Sequence, residues 1–172
     1  MHPLGKSPVV KDGDVVVAES GAIVEYLVEQ HGKGRLIPAA GSADRLRYTY
    51  WLHFAEGTAM TPLLMKLVFN RVETGPMPFF VRPIAKKIAS TVKSSYIDPE
   101  ITQQLDYMEK EIAKTGWFAG KSFSAADIQM SFPLEAAASR GGLDTRYPKL
   151  TDFLQRIHAR PAYKRALERG GA

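Results

Sequence analysis

The hydrophobic pattern changes period early in the chain. "SPVV" and "DVVVA" are short β-branched runs on either side of Asp12-Gly13, a pair that favours a tight hairpin turn. After "AES" the spacing becomes helical. Ile23, Val24, Leu27 and Val28 fall on one stripe, with Tyr26 beside it, and Gly32 and Gly34 end the segment. "KGRLIPAAGS" reads as a connector. From Ala43 onward every periodic segment is helical. "ADRLRYTYWLHFAEGTAMTPLLMKLVFNRV" reads as one long helix that Pro62 should kink. "ETGPMP" breaks it, and a second helix covers "FFVRPIAKKIASTVKSSY". A third begins with Asp98 as N-cap and Pro99 in its first turn, burying Ile101, Leu105, Met108 and Ile112. "SAADIQMSFPLEAAA" reads as a buried helix in which Ser124 and Asp127 have capping-box spacing. Pro148 and Pro161 sit near the starts of two last helices.

The expected class is α+β, mostly α. A β-hairpin and helix occupy residues 1–32, a linker residues 33–42, and an all-helical domain residues 43–172. A lone two-stranded hairpin is marginal in water and would expose a Val-rich face. The hairpin is therefore expected to need more sheet than these residues supply.

Composition narrows the chemistry. The 172 residues contain no cysteine, which excludes disulfides, a Cys nucleophile and thiolate metal sites within them. There is no run of about 18 apolar residues to cross a membrane, and no secretory leader pattern. A cytoplasmic protein without a membrane partner is expected. The net charge of +5 resides in residues 140–172, with eight Lys/Arg against three Asp/Glu. That excess reads as a solvated helical face, or as a nucleic-acid surface. Without interleaved aromatics, no nucleic-acid partner is expected.

Two stretches carry a resemblance. "HPLGKSPVVKDGDVVVAESGAIVEYL" resembles the end of the thioredoxin-like domain of glutathione transferases, in the bacterial and fungal branch with "HPLGKSP". "SFSAADIQM" resembles the capped core helix of that family's all-helical domain, and the likeness covers nearly the whole chain. It implies a C-terminal remnant of the thioredoxin-like domain, followed by the family's helical C-terminal domain. It also implies conjugation of the glutathione thiol to a small hydrophobic electrophile or a peroxide. Glutathione would be co-substrate, with no further cofactor, and the parent a homodimer. The alternative is a non-catalytic relative used for interaction or dimerisation, a class that often loses the "ES" pair present here. In the family, the Tyr, Ser or Cys that activates the thiol lies near the start of the thioredoxin-like domain. The resemblance therefore puts that residue upstream of Met1, in a truncated or mis-started chain expected to be inactive alone.

The resemblance also names binding residues. Ser7-Pro8 would be a cis peptide, turning the Ser7 backbone outward to pair with a tripeptide as an added strand would. Taken alone, Pro8 reads as an ordinary trans proline opening a strand. Glu19 and Ser20 stand where a strand turns into a helix, so free N–H groups and the positive dipole end meet there. The γ-glutamyl carboxylate would lie on Ser20 and its ammonium on Glu19. Taken alone, the pair reads as plain helix capping. Lys6 would face the glycyl carboxylate, or serve as a solvated edge charge. Tyr48, Trp51, Met60 and Leu64 are candidates for the electrophile pocket, though each reads equally as helix packing.

Other motifs carry no chemistry. Gly5-Lys6-Ser7 and Gly120-Lys121-Ser122 lack the upstream glycine of a phosphate loop. His2, His31, His53 and His158 are scattered without metal-site spacing, so no metal is expected. His53 is expected to pack against the helices rather than act as a base.

Overall fold

In the computed structural model, which describes residues 3–5 and 7–170, the two β-branched runs form an antiparallel hairpin. Strand β1 (Val9–Asp12) pairs with β2 (Val15–Ala18), from Val9 opposite Ala18 to Asp12 opposite Val15. Gly13 makes the turn at φ 57°, a conformation that needs no Cβ. Helix α1 (Ser20–His31) follows at once. Its Ile23 and Val28 are buried, whereas Leu27, expected on the same stripe, is exposed. The inward face is narrower than the sequence period suggested.

The long helical segment is α2 (Ala43–Phe54) and α3 (Met60–Thr74), joined by a π-helical turn over Ala55–Ala59. Pro62 cannot donate to the carbonyl of Thr58, and its ring crowds that carbonyl. The adjustment lies upstream of the proline, where the Met60 N–H reaches back five residues to the Ala55 carbonyl. A widened turn thus replaces the expected kink at Pro62.

A second correction concerns Asp98. Helices α4 (Arg82–Val92) and α5 (Asp98–Thr115) run on through another π-helical turn, Lys93–Ile97. Asp98 has helical angles (φ −68°, ψ −40°) and its N–H donates to the Lys93 carbonyl, so it is not an N-cap. Its carboxylate instead pairs with the Lys66 ammonium on α3 at 2.8 Å. Lys93 on the same turn pairs with Glu73 and donates to Asn70, also on α3. These ties fasten the π-helical turn and the start of α5 to α3.

Helix α6 (Ala125–Ala136) is central, touching α1, α2, α3 and α7 (Pro148–Ala159). Its capping box forms as the spacing requires. Asp127, fully buried, accepts from the Ser124 N–H (2.8 Å), the Ser124 hydroxyl (2.9 Å) and the Phe118 N–H (2.8 Å). Burial pushes its carboxyl pKa up, opposed by those three donors. Around α6 lie Tyr48, Trp51, Phe118, Leu150 and Phe153, all sealed from solvent. Trp51 stacks on Tyr107 (5.5 Å, 25°) and packs on Phe118 at 4.7 Å. Helix α8 (Pro161–Gly170) lies outside this core and buries none of its residues.

Residues 33–42 form more than a spacer. The Leu36 carbonyl accepts from the Ala125 N–H at 2.8 Å, and Leu36 and Ile37 pack on the core. The connector therefore caps the first turn of α6 and ties the hairpin–α1 unit to the bundle.

Candidate functional site

The junction between β2 and α1 is the site the sequence singled out, and its backbone is unusual. Glu19 has φ 72° and ψ 124°, a region that costs a side-chain-bearing residue about 1–3 kcal/mol and recurs at ligand clamps. Its carbonyl accepts the first helical bond, from the Ile23 N–H at 2.9 Å. No side chain caps α1, and no acidic residue stands in its first turn. The leading N–H groups at the positive end of the helix dipole are left without a side-chain acceptor. An anion seated there would gain both.

Ser7-Pro8 is a cis peptide. The hairpin ladder ends with Val9 opposite Ala18, so Pro8 directly precedes the first strand and Glu19 directly follows the second, at the same end of the hairpin. Four of the five residues named for glutathione, Ser7, Pro8, Glu19 and Ser20, thus flank that end of the hairpin. Lys6, the fifth, lies outside the described residues.

A clamp that sequence spacing did not signal ties the turn end of the hairpin to α1. The Asp12 carboxylate, at the hairpin turn, accepts from the Tyr26 hydroxyl at 3.1 Å and meets His31 Nε2 at 2.6 Å. Both partners lie on α1, so the strand ends and the helix are fixed relative to one another. The His31 and Tyr26 hydrogen bonds hold the Asp12 carboxyl below its ordinary pKa of 3.8. The signal was faint: a Tyr and a His five residues apart on one helix, and an Asp in a turn.

The four pocket candidates separate. Tyr48 and Trp51 are core residues, with Trp51 only 1% exposed, so neither offers surface to a substrate. Burial raises the Tyr48 phenol pKa, with Glu25 adding to the rise. Met60 is half-buried against the core and Leu64 is exposed. His53 is likewise exposed, contrary to the expected packing. Leu52, Ala55 and Ala59 face inward, and one residue of helix turns a side chain by about 100° away from its neighbour. An apolar cavity of about 300 Å³ lies elsewhere, between Leu36, Phe123, Ile128, Ile157 and Tyr163. Arg160 stacks over Phe123 at its edge, 3.5 Å from the ring centroid.

The second "GKS" has a packing role. Gly120 is buried against Asp44 at the start of α2, and a Cβ there would lie 2.4 Å from Asp44 Oδ2. The glycine permits a close approach, and an aspartate beside it would repel phosphate. Among the described residues, no three His, Asp or Glu side chains gather to hold a metal.

Comparison with known proteins agrees with this layout. Residues 1–29 match the family model "Glutathione S-transferase, N-terminal domain", and residues 74–161 match "Glutathione S-transferase, C-terminal domain". Glutathione S-transferase 3 of Schizosaccharomyces pombe is 33% identical over 98% of this chain and 69% of its own length. Glutathione S-transferase 1 of Saccharomyces cerevisiae is 29% identical over all of this chain and 77% of its own. A sphingomonad glutathione S-transferase solved in complex with glutathione superposes with a TM-score of 0.72. It is 28% identical and covers 97% of this chain and 75% of its own. With both domain models matched in chain order and a relative aligned along nearly every residue, the chain belongs to the glutathione S-transferase family.

Proposed function

We propose that this glutathione transferase grips its co-substrate along the edge formed by Ser7-Pro8 and Glu19-Ser20. The tripeptide lies extended beside Ser7, whose backbone exchanges hydrogen bonds with it as a neighbouring strand would. The γ-glutamyl carboxylate sits on the uncapped start of α1, accepting from the Ser20 N–H and hydroxyl. The Glu19 carboxylate pairs with the γ-glutamyl ammonium. The observation that carries this reading is the α1 N-terminus without a side-chain cap, with its strained Glu19, at the hairpin end that the cis Ser7-Pro8 bond leads into.

The transferase reaction needs the glutathione sulfur as thiolate. A thiol of pKa about 8.5 is brought there by a donor that favours the charged form. In this assignment the residues above hold and orient the peptide, and the sulfur projects beyond them. The thiolate attacks an electrophilic carbon, forming a C–S bond as the leaving group departs, or attacks a peroxide oxygen, breaking the O–O bond to release an alcohol and leaving a sulfenic acid that a second glutathione converts to the disulfide and water. The electrophile is small and apolar, and the working protein is a cytoplasmic homodimer without a metal or further cofactor. Residues 1–32 form part of its thioredoxin-like domain, joined by residues 33–42 to the all-helical domain of residues 43–172.

Titration calorimetry with glutathione tests the grip. Glu19→Ala and Ser20→Ala should each weaken binding by roughly tenfold or more, the worth of a charge-assisted hydrogen bond. Binding that is unchanged in the double variant would sink the assignment.

A further inference from the structure

We infer that the tip of the α3–α4 hairpin docks on an anionic phospholipid surface. The chain turns between these helices through Gly75-Pro76-Met77-Pro78-Phe79-Phe80-Val81. Phe79 and Phe80 are 83% and 66% exposed, their rings edge to face with centroids 5.7 Å apart. Ile84 and Ile88, both exposed, continue the apolar surface for two turns into α4. None of the four serves to attach α4 to the bundle. That role falls to Val81, Ala85, Ala89 and Val92, the buried or half-buried stripe of a helix packed on α3.

The charge around the tip selects the occupant. Between Gly75 and Ile97 there are four cations, Arg82, Lys86, Lys87 and Lys93, and no acidic residue. Lys93 is engaged with Glu73 and Asn70. Arg82, Lys86 and Lys87 are exposed, and Lys87 borders the apolar stripe. Aromatic side chains at the tip of a basic amphipathic helix suit the headgroup boundary of a bilayer. There the rings reach acyl carbon and the cations meet anionic headgroups. A second copy docking through the same patch would set these cations against their own counterparts. The proposed contact lies on the membrane, since no described helix is long and apolar enough to cross one.

Vesicle co-sedimentation of the purified chain tests this, using phosphatidylcholine with and without phosphatidylserine. Binding should require phosphatidylserine and fall as salt is raised. Phe79→Ser with Phe80→Ser should lower the partition by about tenfold or more, and Lys86→Glu with Lys87→Glu by a similar factor of about ten. Phe132→Ser, which removes an exposed ring on α6, should leave binding unchanged. Thermal unfolding would verify that each variant is folded. Failure to bind phosphatidylserine vesicles overturns the proposal, as does binding indifferent to the tip substitutions. Equal loss in Phe132→Ser would mean general adhesiveness and overturns it too. So would light scattering in which Phe79→Ser with Phe80→Ser turns dimers into monomers while no vesicle binding occurs. The tip would then belong to a second copy of the chain.

Discussion

The hairpin with α1 and the helical bundle behind it are built on opposite principles. In the hairpin, Val9, Val15 and Val16 are exposed, Val16 by 56%, and only Ile23 and Val28 of α1 reach the core range of burial. Polar ties keep its shape: Asp12 to Tyr26 and His31, and Leu36 to the start of α6. In the bundle, aromatic rings from α2, α5, α7 and the loop before α6 interlock around a buried carboxylate. The contrast separates two tasks. Apolar burial supplies stability at roughly 25 cal/mol per Å², which the bundle collects and the hairpin does not. The hairpin has no third strand beside it among the described residues, which leaves an edge for the proposed grip on a peptide.

The largest test of this division is Trp51→Ala. Trp51 touches Phe54, Tyr107 and Phe118, and its loss should destabilise the chain by about 3–5 kcal/mol in denaturant unfolding. Any glutathione bound by the remaining folded fraction should retain its affinity. Next comes Asp127→Ala, which strands the Phe118 and Ser124 N–H groups in the interior. Buried donors left unpaired cost about 1–3 kcal/mol each, and much of that should appear as a lower unfolding midpoint.

Glu19→Gly sharpens the comparison in the other direction. It removes the strain of φ 72° and should raise stability by about 1 kcal/mol while weakening glutathione binding. A drop in stability would mean that the Glu19 side chain contributes to folding. The smallest expected effect is the acid response of the hairpin. The Asp12 pKa is lowered in the fold, so its clamp is fully present above the ordinary value of 3.8 and is lost as pH falls through the folded value. Hydrogen exchange should show hairpin amides opening below that pH while bundle amides stay protected. Equal loss in both regions would mean they unfold as one unit.

Much of the layout was legible locally. Asp12-Gly13 between valine runs specified the turn, Ser124 and Asp127 specified the start of α6, and Pro148 and Pro161 marked the last two helices. The cis Ser7-Pro8 bond was legible as well, through the motif in which it lies. The two π-helical turns were less so. Pro62 and Pro99 signalled a disturbance, but whether a helix kinks, ends or widens depends on what its neighbours can satisfy. At Asp98 that neighbour is Lys66, 32 residues away.

The sequence by itself determined which segments are strand and helix, where most of them begin, and which short motifs carry the proposed glutathione residues. These follow from backbone preferences and side-chain periodicity acting over a few residues. Only the tertiary structure decided which aromatics are sealed and which are offered to solvent. Tyr48 and Trp51 went inside on α2 while Phe79 and Phe80 stayed out in the turn before α4, although the sequence pattern reads as helical at all four. Periodicity specifies a face, but whether that face is covered depends on the partner opposite, and α5, α6 and the loop before α6 come from the far end of the chain.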